Sequence, residues 1–204
     1  MKYLGLATLF VSIIFSLQVR ALSQELDEGD FLSTVATVLK ISEDNSYQSN
    51  FALRETRRIG LGLGVGGTFG RYGLNIEVNF EDQNAGFAGF GGGTNYNTFN
   101  IGWKHIFEGD TIAPYTSAGY SRWYNVGSDG DYRNSPILDR VLSSHQKAED
   151  RFSTDFLSGA VGLQYLHLQG PMAGTSLYAE VILLGEVNNS TLVPTGSVGA
   201  SYYF

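Results

Sequence analysis

A polar segment in the second half of the chain contains the residue types of a serine hydrolase. These residues are Asp139, Ser143, Ser144, His145, Glu149 and Asp150. A catalytic triad requires a serine, a histidine and an acid in direct hydrogen-bond contact, and closeness in sequence does not supply that geometry. We therefore assign no catalytic residue and expect the protein not to be an enzyme.

The other residues with ligand chemistry are sparse. The chain has three histidines and no cysteine, so thiolate ligands and disulfide bonds are excluded. His105 and His167 alternate with apolar neighbours, and no cluster of histidines and carboxylates has the spacing of a metal site. We predict no metal and no cofactor. The formal net charge of −7 argues against nucleic acid as a partner, because phosphate binding requires clustered basic residues.

A further set of candidates consists of charged residues that alternate with apolar ones. They are Lys40, Arg58, Glu77, Lys104 and Glu180. Alternation places them on the opposite face of a strand from their apolar neighbours. If that face lines a narrow interior, the charges must be paired, because an unpaired buried charge costs on the order of 3–5 kcal/mol. We predict an internal ion-pair network in which Lys104 bridges Glu77 and Glu180. A gated proton or ion path is the alternative.

The elements that would position these residues are strands with two different faces. Their predicted bounds are 31–42, 53–69, 74–81, 96–107, 112–125, 152–168, 175–187 and a last strand that ends the chain after a loop at 188–192. Along 53–69, Ile59, Leu61 and Leu63 alternate with glycines, which leave space on one face for facing side chains. A dinucleotide site would need a helix directly after these glycines, and another alternating strand follows instead.

Loops and short turns are predicted to alternate along the chain. Residues 82–95, which include three consecutive glycines, are expected to form a flexible loop, and 126–151 the longest irregular segment. Barrels of the outer membrane have this arrangement, with short turns in the periplasm and longer loops outside. Aromatic residues near the predicted strand ends are typical of interfacial belts. We expect Phe69, Tyr72, Phe107, Tyr165 and Phe204 on the periplasmic side, and Phe80, Trp123, Tyr124 and Phe152 on the external side.

The end of the chain is an alternating segment that stops on an aromatic residue. In water, an aromatic edge strand of this kind promotes aggregation. Closure of a barrel in a membrane pairs both of its edges and places its apolar face against lipid. The segment resembles the C-terminal signal by which bacterial outer-membrane barrels are recognised for assembly. The matching residues are Ser197, Gly199, Tyr202 and Phe204.

The start of the chain has the pattern of a secretory signal peptide. Lys2 precedes an apolar stretch from Leu4 to Leu17, and Ala21-Leu22-Ser23 fits a cleavage site. The apolar stretch is shorter than the ~20 residues that a membrane-spanning helix needs. We predict a signal peptide at 1–23 and a single barrel domain at 24–204.

The predicted mature chain resembles the superfamily of small eight-stranded outer-membrane barrels, which includes the transmembrane domain of outer-membrane protein A and the opacity and Ail-like adhesins. The resemblance rests on the closing segment and on Pro114-Tyr115-x-x-Ala118-Gly119-x-Ser121 in the fifth predicted strand. It implies an all-β fold, an eight-stranded antiparallel up-and-down transmembrane β-barrel with both termini in the periplasm. Lipid A deacylases of this superfamily carry His and Ser on a late strand, and this sequence has no matching motif.

These features favour a structural or surface-interaction protein, adhesin-like, with a lumen plugged by side chains. The alternatives are a narrow channel for small solutes and a lipid A-modifying hydrolase. Expected partners are outer-membrane lipid and lipopolysaccharide, the barrel-assembly machinery during biogenesis, and an extracellular ligand at 126–151. We expect a monomer. Arg54 and Arg57 are candidate contacts for lipopolysaccharide phosphates, which arginine binds through paired hydrogen bonds, and solvated rim charge is the alternative.

Overall fold

The computed structural model describes residues 46–125, 135–144, 146 and 152–204. The predicted signal peptide, the predicted strand at 31–42 and Lys40 lie outside these residues. No helix among the described residues is long and apolar enough to cross a membrane.

Eight antiparallel strands form a closed barrel in the described part of the chain, and the first strand pairs with the last to complete the ring. The strands are β1 Ile59–Gly66, β2 Tyr72–Asn79, β3 Asn84–Gly93, β4 Tyr96–Ile106, β5 Ile112–Asn125, β6 Ser153–Leu166, β7 Thr175–Glu186 and β8 Leu192–Tyr203. They are accompanied by the short α-helices α1 Asn50–Thr56 and α2 Pro136–Val141 and by 3-10 turns at Gly67–Phe69 and Gly170–Met172. The predicted eight-stranded up-and-down architecture is confirmed. The eight strands, however, are not the predicted eight.

The first difference is α1, which occupies the beginning of the predicted strand 53–69. Ser49 caps this helix, because its side chain accepts a hydrogen bond from the backbone N–H of Ala52. Leu53 and Arg54 are fully buried on one side of the helix, whereas Glu55 is exposed. The strand itself begins only at Ile59, where strict alternation of large apolar residues and glycine starts.

The second difference is β3, which replaces the predicted flexible loop at 82–95. Four of its glycines, Gly86, Gly89, Gly91 and Gly92, pair on both sides, with β2 and with β4. A Cβ atom at Gly89 would lie 2.8 Å from the ring of Phe69, so the absent side chain makes room for an aromatic ring inside the barrel. Glycine is read as a loop signal from sequence, but in a narrow barrel it also supplies interior space.

Because β3 is a strand, the predicted turn at 70–73 lies at the opposite end from the prediction, and turns at 80–83 and 94–95 replace the predicted loop. One end holds the connections 80–83, 107–111 and 167–174 and the end of the chain; we call it the Phe204 end, where the Phe204 N–H donates to the Ile59 carbonyl at 2.8 Å. The opposite end, the loop end, holds 67–71, 94–95, 126–152 and 187–191. The prediction is therefore wrong for 70–73 and 82–95, whereas the connections 107–111 and 167–174 lie at the Phe204 end and 126–152 and 187–191 at the loop end, as predicted.

The aromatic residues follow the same correction. Phe69 and Tyr72 lie at the loop end rather than with Phe204, and Phe80 lies at the Phe204 end. The other aromatic residues lie at the ends predicted for them. Phe107 and Tyr165 lie near Phe204, and Trp123, Tyr124 and Phe152 lie at the loop end.

Candidate functional site

The interior of the barrel is filled by aromatic side chains that stand opposite glycines. A Cβ atom at Gly162 would lie 2.5 Å from the Tyr115 ring, and one at Gly60 would lie 2.7 Å from the Tyr203 ring. Phe69 enters from the 67–71 connection, which turns back through glycines with positive φ. An eight-stranded barrel is only wide enough to be filled by side chains, and these rings fill it.

Glu77 is the centre of the charged interior. Its Oε1 atom lies 2.7 Å from Nη2 of Arg54, and its Oε2 atom lies 3.0 Å from Nζ of Lys104. All three side chains are nearly inaccessible to solvent. Arg54 also donates to Oδ1 of Asn79, so α1 is tied to β2 by two charge-assisted hydrogen bonds.

A polar network extends from this ion pair across the lumen. The Tyr203 hydroxyl donates to Glu77 at 2.9 Å and accepts from Gln164 at 2.8 Å. Lys104 donates to Gln164 at 3.0 Å and lies 4.3 Å from the centroid of the Tyr115 ring, a cation–π contact. Gln164 also donates to Ser176 at 2.7 Å. Side chains from β2, β4, β6, β7 and β8 are thereby joined.

Glu180 is stabilised without an ion pair. It accepts hydrogen bonds from the Tyr115 hydroxyl at 2.9 Å and from Ser197 at 2.6 Å. The predicted bridge from Lys104 to Glu180 is therefore wrong, since Lys104 turns towards Glu77 and Gln164. Hydroxyl groups, and not the predicted cation, satisfy this carboxylate.

The arginines occupy other places than predicted. Arg58 is exposed, and its Nε donates to the Glu55 carbonyl, so it is not part of the internal network. Arg54 is fully buried and cannot contact lipopolysaccharide from the surface. Arg57 lies at the Phe204 end, where it donates to the Tyr203 carbonyl at 2.9 Å. Burial acts to lower the pKa of Arg54, but Glu77 and Tyr203 outweigh it and raise that pKa above its ordinary value, so the guanidinium stays charged.

The alternation of residues along the strands predicts the inward direction of most side chains in the network. It does not predict Arg54, which lies on a helix that was predicted as a strand. Asn79, Gln164 and Tyr203 carry the period-two signal that puts them on the inner face. Arg54 belongs to α1, so its entry into the lumen is not visible in any strand pattern. The Ser49 cap is the sequence signal that marks the helix.

Both ends of the lumen are covered by a helix in the described structure. At the Phe204 end, Leu53 of α1 packs with Leu166 and Tyr203. At the loop end, Leu138 and other residues of α2 pack on a buried apolar cluster. That cluster contains Tyr96, Trp123, Phe156, Leu184 and Val193. Between the two covers, a cavity of about 50 Å³ remains, lined in part by Glu77 and Glu180.

The outer surface of the barrel is apolar. Exposed fractions reach 66% for Val181 and 61% for Leu63. The other large apolar residues exposed on the strands include Leu61, Val65, Leu74, Phe90, Ile101, Leu157, Val161, Leu163, Leu177, Leu183 and Val198. A surface with this many exposed large apolar side chains is unusual for a protein in water and marks a membrane or protein contact.

Aromatic pairs lie on the outer surface near both ends. At the Phe204 end, Phe80 stacks on Trp103 at 5.7 Å, and Tyr202 meets Phe204 at 5.0 Å. At the loop end, Phe90 contacts the ring of Phe99 at 5.2 Å. Two bands of aromatic residues with an apolar zone between them are typical of membrane barrels.

The histidines show no metal geometry within the described residues. His105 lies 2.9 Å from Oδ1 of Asn84, and His167 contacts the Tyr165 hydroxyl at 3.3 Å. No group of histidines and acids in the described chain could hold a metal ion. The Ser143 hydroxyl donates to Gln146 at 3.1 Å. His145, Glu149 and Asp150 lie outside the described residues, so the hydrolase constellation is not tested.

The barrel is similar to solved structures of outer-membrane barrels. The N-terminal β-barrel domain of OprF from Pseudomonas aeruginosa matches with a TM-score of 0.49 and 14% identity over 72% of this chain and 98% of that chain. The outer membrane protein Ail of Yersinia pestis in a phospholipid bilayer nanodisc matches with a TM-score of 0.41 and 12% identity over 72% and 99%. The outer membrane enzyme PagL matches with a TM-score of 0.37 and 14% identity over 72% and 97%.

No protein-family model matches the chain, and no curated protein matches it. The expected eight-stranded barrel is confirmed by the pairing of the strands themselves. With TM-scores below 0.5 and identities of 12–14%, the solved structures show a likeness of fold and carry no argument about function.

Proposed function

We propose that this protein spans the bacterial outer membrane as a closed barrel and acts through the surface of its loop end, as a structural or surface-interaction protein of the adhesin-like kind. The observation that carries the proposal is the combination of an apolar exterior with a lumen closed at both ends in the described structure. The first property requires lipid around the strands, and the second leaves the ends as the places of action.

The exterior supports the membrane part of the proposal. In water, the exposed apolar zone would drive aggregation, whereas in a bilayer it faces acyl chains. The backbone supports it too, because a closed barrel pairs every strand with two neighbours and leaves no edge in the hydrocarbon region. The predicted signal peptide at 1–23 and the closing motif Ser197, Gly199, Tyr202 and Phe204 fit export and assembly in this membrane.

The contacts inside the barrel favour the proposal of a closed lumen and argue against the alternative of a narrow channel. A conducting path needs a continuous row of polar sites, but the Glu77 ion pairs lie between two helix-covered apolar ends. Conduction would require both helices to move and the buried ion pairs to open, and breaking a buried pair costs about 3–5 kcal/mol.

Orientation and exposure are tested with cysteines, because the chain has none of its own. We propose that the termini lie in the periplasm, so Thr94→Cys at the loop end is expected to react with a membrane-impermeant maleimide on intact cells. The matched variant Gln83→Cys, in the 80–83 connection at the Phe204 end, should react only after permeabilisation. Both positions are exposed. If only Gln83→Cys is labelled on intact cells, the orientation is the opposite of the one proposed.

The closed lumen and the role of the loop end need their own measurements. Purified protein in planar bilayers is expected to show no steady conductance, and a large stable conductance would refute the closed barrel.

Deletion of residues 127–134 is expected to reduce binding of cells to surfaces while barrel assembly is unchanged. Altered lipid A masses between a deletion strain and its parent would instead favour the hydrolase alternative.

A further inference from the structure

A second cavity lies in the mouth of the barrel at the loop end. It has a volume of about 340 Å³, within the range of small-molecule sites. It is bordered by the 67–71 and 94–95 connections, by α2 and by the first residues of β8. It is distinct from the internal cavity around Glu77, because no residue lines both cavities.

The charge of this cavity is opposite to that of the chain. Arg71 and Arg140 line it, and no acidic residue does so among the described residues. The whole chain has 20 acidic and 13 basic residues. A cavity lined by two arginines and no carboxylate therefore differs in charge from the chain as a whole. Neither guanidinium forms an ion pair with a described residue.

The remaining lining is mixed: it includes hydroxyl groups and glycine backbone, and also the apolar side chains of Pro136, Ile137, Val193 and Pro194. Thr94 and Thr195 contribute hydroxyl groups, and Gly66, Gly67 and Gly70 leave the rim without side chains. Arginine presents a planar fork of N–H donors that matches phosphate and sulfate oxygens, and hydroxyls add further hydrogen bonds. The wall behind them is rigid, because the Tyr96 and Trp123 rings stack at 5.4 Å and Trp123 is fully buried.

We propose that this cavity binds a small soluble ligand that carries a phosphate or sulfate group, held between Arg71 and Arg140. The access of such a ligand from outside the cell rests on the orientation proposed above, whereas binding of the oxyanion by purified protein does not. The cysteine-labelling result and the binding result are therefore independent of each other.

The test is titration of purified protein in detergent micelles with glucose 6-phosphate and with glucose, at constant ionic strength set with chloride. Binding is measured by calorimetry and by Trp123 emission in a Trp103→Phe background, since these are the chain's two tryptophans. Saturable binding of the phosphate ester, without binding of glucose, is expected. Absence of saturable binding in both measurements would overturn the proposal.

The variants Arg71→Gln and Arg140→Gln are each expected to weaken binding roughly tenfold or more, because each removes charge-assisted hydrogen bonds. Arg122→Gln is the matched control, because Arg122 lies near the loop end but pairs with Asp155 outside the cavity, at 3.6 Å. Equal weakening by Arg122→Gln would indicate general attraction by charge and would refute the site. Circular dichroism of each variant verifies folding, and Arg140→Lys should retain more affinity than Arg140→Gln.

The source of the oxyanion is distinguished in nanodiscs. Binding of glucose 6-phosphate that is equal in discs with and without lipopolysaccharide supports a soluble ligand. Loss of binding only in the discs with lipopolysaccharide would show that the lipid phosphate occupies the cavity, and would overturn the soluble source.

Discussion

At the scale of single residues, Glu77 holds the interior together. It receives two cations, Arg54 from α1 and Lys104 from β4, and a hydrogen bond from Tyr203 of β8. A buried carboxylate in this position offsets two charges that would otherwise be desolvated without a partner. A second carboxylate in the lumen, the half-buried Glu180, shows the other solution, because hydroxyl donors satisfy it.

Replacing Glu77 is expected to destabilise the barrel strongly. Glu77→Gln leaves Arg54 and Lys104 buried without a counter-charge, which should lower the free energy of unfolding by about 3–5 kcal/mol. Urea unfolding in lipid vesicles measures this change. The control Glu55→Gln removes the same charge from an exposed position on α1 and is expected to change stability little.

A second substitution separates the missing charge from the missing contact. Adding Lys104→Gln to Glu77→Gln removes one of the stranded cations, so the double variant should regain part of the lost stability. If the double variant is less stable than Glu77→Gln alone, packing or hydrogen bonding rather than charge determines the effect.

At the scale of elements, each strand has one face for the lumen and one for the surroundings. β6 illustrates this, because Gly162 faces the Tyr115 ring at close range while Gly159 has no neighbouring atom within 4 Å of an added Cβ. The same residue type therefore has two roles on one strand. The inner glycine makes room for an aromatic ring, and the outer one leaves an open surface.

The two glycines provide a matched pair of substitutions. Gly162→Val should destabilise the barrel by about 1–3 kcal/mol, because the added atoms overlap the Tyr115 ring and the Ala179 carbonyl. Gly159→Val adds the same atoms on the outer face and is expected to be neutral or slightly stabilising, since valine favours strands. Unfolding in lipid vesicles compares them, and equal effects would contradict the assignment of faces.

At the scale of the whole molecule, the usual distribution of polarity is reversed. Charged and polar groups meet in the lumen, and large apolar residues cover the outside of the strands. This reversal is stable only where the surroundings are apolar, because the hydrophobic effect opposes exposure of these side chains to water. The stability of the folded barrel therefore depends on apolar surroundings.

A charge placed on the outer surface tests whether those surroundings are lipid. Val181 lies in the middle of β7 and Leu192 at the loop-end start of β8, and they are similarly exposed, at 66% and 63%. In a bilayer, Val181→Arg should cost about 2–4 kcal/mol and Leu192→Arg about 0–1 kcal/mol, because the cost depends on depth. Unfolding in lipid vesicles measures both, and equally small costs would contradict a membrane-spanning barrel.

Several features of this protein follow from the sequence alone. Period-two alternation places Glu77, Lys104, Gln164 and Tyr203 on one side of their strands, because successive side chains of a strand point to opposite faces. The closed up-and-down barrel was also predicted correctly, whereas the count of eight agrees only in total, because the prediction included 31–42, outside the described residues, and missed β3. The direction of a side chain is a local property of its strand. The closed barrel follows from the number and alternation of such strands.

Only the tertiary structure decided which groups meet and at which end. The glycines of β3 are read as a loop until the Phe69 ring is known to fill the space beside them. Arg54 enters the lumen because α1 docks on the Phe204 end, and Glu180 finds Tyr115 and Ser197 rather than Lys104. Partner choice among buried polar groups depends on the register of eight strands around a ring, and pairs of residues far apart in the chain leave no mark in the local pattern.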